Sequence, residues 1–247
     1  MTTYDESFKK RTKNYIYAQE TYPNVMKNEF QITLSICDLK PYDKFVNIPA
    51  DNGLIRKKYL DDTICYIPME INELFHRITG YILCELNRLP LENKSVDKIL
   101  TLASLHHFDI NDRKKYYNEV KRVLKSNGIF VIGDIVKNSS QEHFLNEFVN
   151  NFNSQGHKGI FFSPDDKKLL EKCGFKVEIE YQTYPWKFNS IYEMCDYCKN
   201  LFGLDLIKKD EDIINGIKTY LDFYENDDGS CYFMWNLIYF KSTISQK

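Results

Sequence analysis

The sequence predicts an α/β fold, in which an open and mostly parallel sheet carries helices on both faces. The strongest indication is residues 95–135, where two apolar runs, 99–105 and 129–132, flank a helical pattern. Both runs are apolar at consecutive positions, as in parallel strands that are covered on both faces. Asn127 and Gly128 are predicted to end the helix, because both tolerate the positive φ of a helix C-terminus. The helical pattern places apolar side chains at spacings of three and four: Tyr116, Tyr117, Val120, Val123 and Leu124.

Length and composition bound the class of protein. The chain has 247 residues, enough to bury a complete core, and its net charge is −2. No dense block of lysine and arginine stands outside the helical patterns, so a small-molecule partner is favoured over nucleic acid. No apolar run approaches the roughly 20 residues that a membrane-spanning helix needs, so no membrane partner is expected. The composition predicts no oligomeric state.

Cysteine and histidine usage indicate the compartment and exclude simple metal motifs. Seven scattered cysteines, an odd number, favour a reducing cytoplasm over a disulfide framework. The polar N-terminus lacks the apolar core of a secretion signal, so a cytoplasmic protein is expected. Cys195 and Cys198 fall on one apolar helical face and are predicted to pack in the core. No metal site is expected, because the histidines show no metal-ligand spacing with nearby acids: His76, His106, His107, His143 and His157.

The first half of the chain carries candidate ligand-binding side chains at strand ends. Residues 5–38 predict one or two covering helices, and 44–53 predict a strand and a turn into a helix whose free amides face an anionic group. Residues 63–70 predict a second strand that ends at Glu70. A carboxylate in that place can accept hydrogen bonds from both hydroxyls of a ribose. The alternative is a surface glutamate that caps the next helix.

Residues 80–91 are predicted to form the third strand and its loop, and the fourth strand ends at His106 and His107. Ligands of open parallel sheets lie beyond the carboxyl ends of the strands. A histidine there can take a proton from a hydroxyl or an amine, because its pKa lies near neutral pH. The alternative is structural, with one histidine packed or capping the next helix and the other exposed.

The second half predicts the remaining sheet and a helical insert. Residues 139–158 predict a helix and a mobile link, Ser163 begins a helix that ends at Gly174, and 175–184 predict a strand half open to solvent. Two helical patterns within 190–224 form the insert before the last strand. The alternative to a ligand pocket in this insert is ordinary core packing. Four aromatic residues can line such a pocket: Trp186, Phe188, Tyr192 and Phe202.

In motif order, residues 40–185 resemble the class I S-adenosylmethionine-dependent methyltransferases, specifically the type 11 small-molecule group. The glycine turn departs from the family pattern. Asn47 replaces its acid, Pro49 and Asp51 replace the first two glycines, and Gly53 is retained. The matching features are the strand–helix–strand unit with its Leu-His-His strand end and a series of residues in the expected order: Glu70, Glu85, Leu86, Leu89, Pro90 and Asp97.

The resemblance implies a single domain with a Rossmann-like, seven-stranded, mostly parallel sheet, helices on both faces and a helical lid insert before an antiparallel last strand. Its expected parts are an N-terminal cover (1–40), a Rossmann-like core (41–185), the lid (186–228) and the last strand (229–247). The implied cofactor is S-adenosylmethionine, with methyl transfer to an oxygen, nitrogen or carbon of a small molecule.

The resemblance also implies roles for individual residues. Glu70 would hold the ribose, and Glu85 with Leu86 the adenine edge. His106 and His107 are the candidate catalytic residues. The rewritten glycine turn leaves two alternatives, namely a binding module or partner subunit that no longer methylates, and an enzyme that uses the fold for a different reaction. The methionine moiety and the sulfonium would be bordered by Asn47, Pro49, Asp51, Gly53, Ala103 and His106.

Overall fold

The computed structural model of the protein describes residues 3, 4, 8 and 11–245. The first part of the predicted N-terminal cover, at residues 5–7 and 9–10, lies outside the described residues. Within 11–245 the helices follow the predicted order. They are α1 (Thr12–Thr21), α2 (Lys27–Cys37), α3 (Leu54–Tyr59), α4 (Glu73–Thr79), α5 (Ile110–Val123), α6 (140–152, with a π-helical centre at Phe144–Val149), α7 (Lys167–Lys172), α8 (Ile191–Phe202) and α9 (Asp210–Tyr220).

Local sequence explains several of the helix ends. The side chains of Asn72 and Asp109 accept hydrogen bonds from first-turn amides of α4 and α5, as N-cap residues do. Ser163 and Asp166 form a capping box ahead of α7, which confirms the predicted helix start. Gly174, with a φ of 93°, follows that helix where its end is predicted.

The strands confirm the predicted fold class. The sheet order is β3-β2-β1-β4-β5-β8-β6, in which β8 is antiparallel to both β5 and β6 and the other neighbouring pairs are parallel. The strand order therefore reverses between β1 and β4, the place where open α/β sheets bind ligands. The strands are β1 (Lys44–Asn47), β2 (Cys65–Glu70), β3 (Ile82–Leu83), β4 (Val96–Leu102), β5 (Leu124–Ile135), β6 (Phe175–Phe188), β7 (Phe223–Glu225) and β8 (Cys231–Ile244).

Helices cover both faces of the sheet. On one face the core contains Phe30 of α2, Phe144 of α6 and Cys198 of α8, all buried. On the other face Tyr116 of α5 and Leu170 of α7 are completely buried against the strands. Cys195 and Cys198 are free thiols that lie in the first core, as predicted.

Three sequence expectations about elements are wrong in detail. Helix α5 ends at Val123 rather than at Asn127, because β5 begins at Leu124 and pairs with β4 across an irregular register. Gly128 therefore serves close strand packing, since a Cβ there would lie 2.9 Å from the backbone oxygen of Asp97.

The other two concern the edges of the sheet. The predicted third strand shrinks to two exposed residues, as is common for edge strands, while Glu85 and Arg88 form an isolated bridge in a turn. An eighth, three-residue strand, β7, adds to the expected seven, because residues 223–225 follow α9 and pair with β8.

Candidate active site

A central cavity with a volume of about 100 Å³ lies beyond the carboxyl ends of β1, β4 and β5. Residues of helices α1 and α2 and of the end of α8 line it. A second space, the edge cleft, has a volume of about 290 Å³ and lies beside β3. The phenol of Tyr4 lines both spaces and so stands between them. The residues that line the central cavity include Asp51, Ala103, Ser104, His106, Trp186 and Trp235.

Glu70, the acid predicted at the end of the second strand, is fully buried. One carboxylate oxygen accepts hydrogen bonds from the backbone amides of Ile71 and Asn72, at 2.8 and 3.1 Å, and the other accepts from the amide of Asp51 at 3.1 Å. Burial, reinforced by the neighbouring carboxylate of Asp51, raises the pKa of Glu70 to about 8. Glu70 is therefore not the surface residue of the alternative interpretation, and it links the glycine-turn segment to the start of α4.

The rewritten turn follows β1 and forms part of the cavity wall. Pro49 lacks a backbone donor, and the amide of Asp51 is engaged by Glu70. Gly53 has a φ of 73° at the start of α3, and a side chain there would collide with the hydroxyl of Tyr81. The turn thus presents side chains to the cavity where the resembled family presents backbone amides.

Asp51 is the centre of a small hydrogen-bond cluster. Its two carboxylate oxygens accept hydrogen bonds from the hydroxyls of Tyr4 and Tyr15, each at 3.2 Å. Burial raises the pKa of Asp51 to about 6, and the two hydroxyls partly offset that rise. The cluster fixes the position of Tyr4, which separates the central cavity from the edge cleft.

Three buried polar atoms beside the turn have no hydrogen-bond partner within the part of the chain that the structure describes. They are Asn47 Oδ1, Asn52 Nδ2 and Ser104 Oγ. Ala103, next to Ser104, adopts a left-handed conformation with a φ of 46°, which is unfavourable for a residue with a Cβ and is typical of functional sites. Ser104 lines the central cavity, whereas Asn47 and Asn52 line a small separate pocket on the other side of the turn. A polar ligand in the central cavity would therefore reach Ser104 first.

The edge cleft contains the Glu85 and Leu86 pair. Leu86 is buried and Glu85 is exposed, and both line the cleft with Ile71 and Phe108. An apolar wall beside a carboxylate acceptor suits a flat heterocycle that carries an amino group.

His106 and His107 lie in a short 3₁₀ turn after β4 and are both buried. The Nδ1 atom of His106 is 2.7 Å from an oxygen of Asp134, a completely buried residue of β5, and the backbone amide of His106 donates to the other oxygen at 3.1 Å. This pairing fixes the orientation of the ring. It leaves Nε2, the second ring nitrogen of His106, to exchange a proton with a ligand, as in acid–base dyads. The ring of His107 packs 5.8 Å from that of Tyr4.

A third histidine, His157, which no sequence motif singles out, completes a buried cluster. The rings of His106 and His107 lie 5.5 and 5.1 Å from that of His157, and one nitrogen from each of the three rings lies within 4.8 Å of the others. Burial lowers the pKa of His157 well below its usual value, and His106 and Arg11 lower it further. The cluster is looser than the roughly 3.3 Å nitrogen spacing of a tetrahedral zinc site. The sequence did not reveal it because His157 stands 50 residues from the pair.

The opposite wall of the central cavity is aromatic. Trp186 of β6, Phe202 of α8 and Trp235 of β8 line it, together with the buried carboxyl group of Glu29 from α2. For Trp186 and Phe202 both interpretations of the sequence apply, because each side chain lines the cavity and also belongs to the buried core. Phe188 is instead a buried core residue that does not line the cavity, and Tyr192 is 72% exposed, because it lies on the outer face of α8.

Comparisons with known proteins agree with this arrangement. The family model described as "Methyltransferase domain" matches residues 68–132. RP459 of Rickettsia prowazekii (strain Madrid E), named as a candidate methyltransferase, is 25% identical over 190 residues, which cover 71% of this chain and 82% of that protein. No helix among the described residues is both long and apolar enough to cross a bilayer.

Solved structures share the fold. BH2331 from Bacillus halodurans C-125, also named as a candidate methyltransferase, gives a TM-score of 0.61 at 16% identity and covers 89% of this chain and 100% of its own. Phosphoethanolamine N-methyltransferase 2 of Haemonchus contortus, solved in complex with S-adenosyl-L-methionine, gives a TM-score of 0.58 at 13% identity, over 95% of this chain and 57% of that one.

Proposed function

We propose that this chain, which is similar to methyltransferases in its family-model match, its relative and its fold, transfers a methyl group from S-adenosylmethionine to a small molecule, as class I methyltransferases do. The observation that carries the proposal is the central cavity. Four of the residues expected at the cofactor line it, Pro49, Asp51, Ala103 and His106, and an aromatic wall lies opposite them. Glu85 and Leu86 line the edge cleft instead, and Glu70 lines neither space. Ligands of this sheet architecture bind at the reversal of strand order, where the central cavity lies.

The residues around the central cavity and the edge cleft offer partners for each part of the cofactor. The unpaired hydroxyl of Ser104 offers a partner for the polar methionine moiety, and the edge cleft with Glu85 and Leu86 offers an apolar wall and an acceptor for adenine. Glu70 would accept the ribose hydroxyls once Tyr4 moves away from Asp51. When bound, S-adenosylmethionine supplies an activated methyl group, so the chain mainly needs to align the acceptor and exclude water.

His106 is the proposed proton acceptor. Asp134 holds Nδ1 of the ring, so that Nε2 can take a proton from the acceptor while the carboxylate stabilises the resulting imidazolium. His107, beside it, would help to confine the acceptor next to Ala103 and the sulfonium.

Calorimetric titration with S-adenosylmethionine, followed by a methyl-transfer assay, tests the proposal. We expect saturable binding at one site, weakened by the substitution Glu70→Ala and unchanged by Glu73→Ala, a matched exposed glutamate on α4. The absence of cofactor binding would refute the proposal.

A binding module or a different reaction on the same fold is the second candidate. The turn around Pro49 and Asp51 favours it, because the amide of Asp51 is occupied by Glu70 and Pro49 has none. Cofactor binding without any methyl transfer to candidate acceptors would favour this second candidate over the first.

A further inference from the structure

We propose that the acceptor is an amine that enters in its protonated form, and that Glu29 together with the rings of Trp186, Phe202 and Trp235 binds this positive charge in the central cavity. The ammonium nitrogen gives its proton to the base, His106 of the same cavity, and its freed lone pair then takes the methyl group. The inference names the acceptor class, and it rests on the proposed function only in calling the bound molecule an acceptor. The binding itself is independent of methyl transfer.

Glu29 has a buried carboxyl group in which only one of the two oxygens makes a hydrogen bond within the described part of the chain. It lies in the first turn of α2 and is 1% exposed, yet it lines the central cavity. Its Oε2 accepts a hydrogen bond from the indole N–H of Trp186 at 3.0 Å, whereas its Oε1 has no partner among the described residues. The hydroxyl of Tyr184 lies close enough to Glu29 to lower the pKa of the carboxyl group, and it is also hydrogen-bonded to the hydroxyl of Tyr239, at 3.2 Å. A buried carboxyl oxygen without a partner is costly, and a ligand that donates to it removes that cost.

The aromatic wall supplies the second half of a cation site. The rings of Trp186 and Trp235 are stacked with centroids 4.6 Å apart, and Phe202 lies 6.2 Å from Trp186 and 6.0 Å from Trp235. Ring faces attract cations through their quadrupoles, most strongly for tryptophan. A carboxylate beside three such rings favours an ammonium group over a neutral or anionic ligand.

Binding of a cation next to Glu29 should release the proton of its carboxyl group, and this release can be measured. Burial raises the pKa of Glu29 to about 8, so the acid is mostly protonated at neutral pH when the cavity holds no ligand. A fixed positive charge beside it stabilises the carboxylate and expels the proton. The hydroxyls of Tyr184 and Tyr239, whose pKa values are raised by burial, are the titratable groups nearest Glu29. The other charged or titratable groups that line the same cavity are Arg11, Asp51, His106, His107 and His157.

The test uses benzyltrimethylammonium, a permanent cation that cannot be deprotonated, and benzyl alcohol as a neutral probe of similar shape. Calorimetry at pH 7 in buffers of different ionisation enthalpy measures both affinity and proton release. We expect the cation to bind at least tenfold more tightly than the alcohol and to release close to one proton. The variant Glu29→Gln keeps an acceptor for Trp186, and it should lose the preference and the proton release together.

Two further variants complete the design. Glu20→Gln, which removes a carboxylate from an exposed ion pair on α1, should behave like the wild type. Phe202→Leu keeps the apolar volume but removes one ring face, and should reduce the preference for the cation about threefold or more. Circular dichroism establishes that each variant is folded.

Equal affinities for the two probes, no measurable binding of either, or a cation preference that survives in Glu29→Gln would overturn the inference. A preserved cation site in a protein that does not bind S-adenosylmethionine would refute the proposed function alone. Conversely, methyl transfer only to neutral hydroxyl compounds would leave the proposed function intact and refute the amine acceptor.

Discussion

Replacing Glu29 by glutamine should stabilise the protein above neutral pH, although it removes a buried hydrogen-bonding carboxyl group. The folded pKa of Glu29, about 8, lies above its usual value of 4.5. The stability that this group contributes is therefore complete below pH 4.5 and is lost as the pH rises toward 8. At 1.36 kcal/mol per pH unit, that interval corresponds to about 5 kcal/mol at most. Glutamine carries no charge, so its contribution does not change with pH.

Urea unfolding of the wild type and Glu29→Gln at pH 4.5, 6, 7 and 8 measures the difference directly. The two proteins should have nearly equal free energies of unfolding at pH 4.5, and the variant should be more stable by a few kcal/mol at pH 8. Glu70 also has a raised pKa, but it is present in both proteins and cancels in the comparison. Curves that run parallel from pH 4.5 to 8 would show that the Glu29 carboxyl group is not desolvated as the structure indicates.

Further predictions concern the cofactor side and the base. The substitution Glu70→Ala should weaken binding of S-adenosylmethionine by about 1–3 kcal/mol in calorimetry, and unchanged affinity would exclude the ribose role. His106→Gln should lower turnover by about 10²- to 10⁴-fold while the cofactor still binds, and full activity would exclude a proton transfer through Nε2. Tyr4→Phe removes a hydrogen bond to Asp51 and should strengthen cofactor binding about threefold to tenfold. The reason is that Tyr4 stands between the central cavity and the edge cleft, and the cofactor must displace it. Prolonged dialysis against EDTA should leave turnover unchanged, since the proposed base is held by Asp134; a loss restored by added zinc would contradict this.

The parts of the fold that were predictable are those with a local pattern. The pattern of residues 95–135 predicts two buried strands and an amphipathic helix within 41 consecutive residues. Ser163 and Asp166 form a helix cap that is recognisable from the local sequence alone. The misplaced end of α5 came from a competing tertiary requirement. Gly128 has the residue type of a helix C-cap, but it is needed in the strand because the backbone of Asp97 passes close by.

In the candidate site, only the residues that directly follow a strand were predictable from the sequence. Glu70 and His106 follow strands, and the sheet brings those ends to one edge. Glu29 gave no such signal, since a glutamate in an amphipathic helix is ordinary and its hydrogen-bond partner Trp186 is 157 residues away. Trp235 joins it only through the pairing of β6 with β8, a register that local periodicity does not specify.

The two walls of the central cavity differ in how firmly they are built. Trp186 and Trp235 stand on two strands, β6 and β8, that are joined without interruption from Phe175 and Ile244 to Phe188 and Cys231. Because β8 also pairs with β5 on its other side, the backbone beneath the aromatic wall should exchange its amide hydrogens slowly. The opposite side is closed by Tyr4, which a hydroxyl–carboxylate contact ties to the rewritten turn. Exchanging one ring for another on the rigid wall can therefore alter which molecule is selected, while the timing of cofactor entry and departure is set independently at the other side.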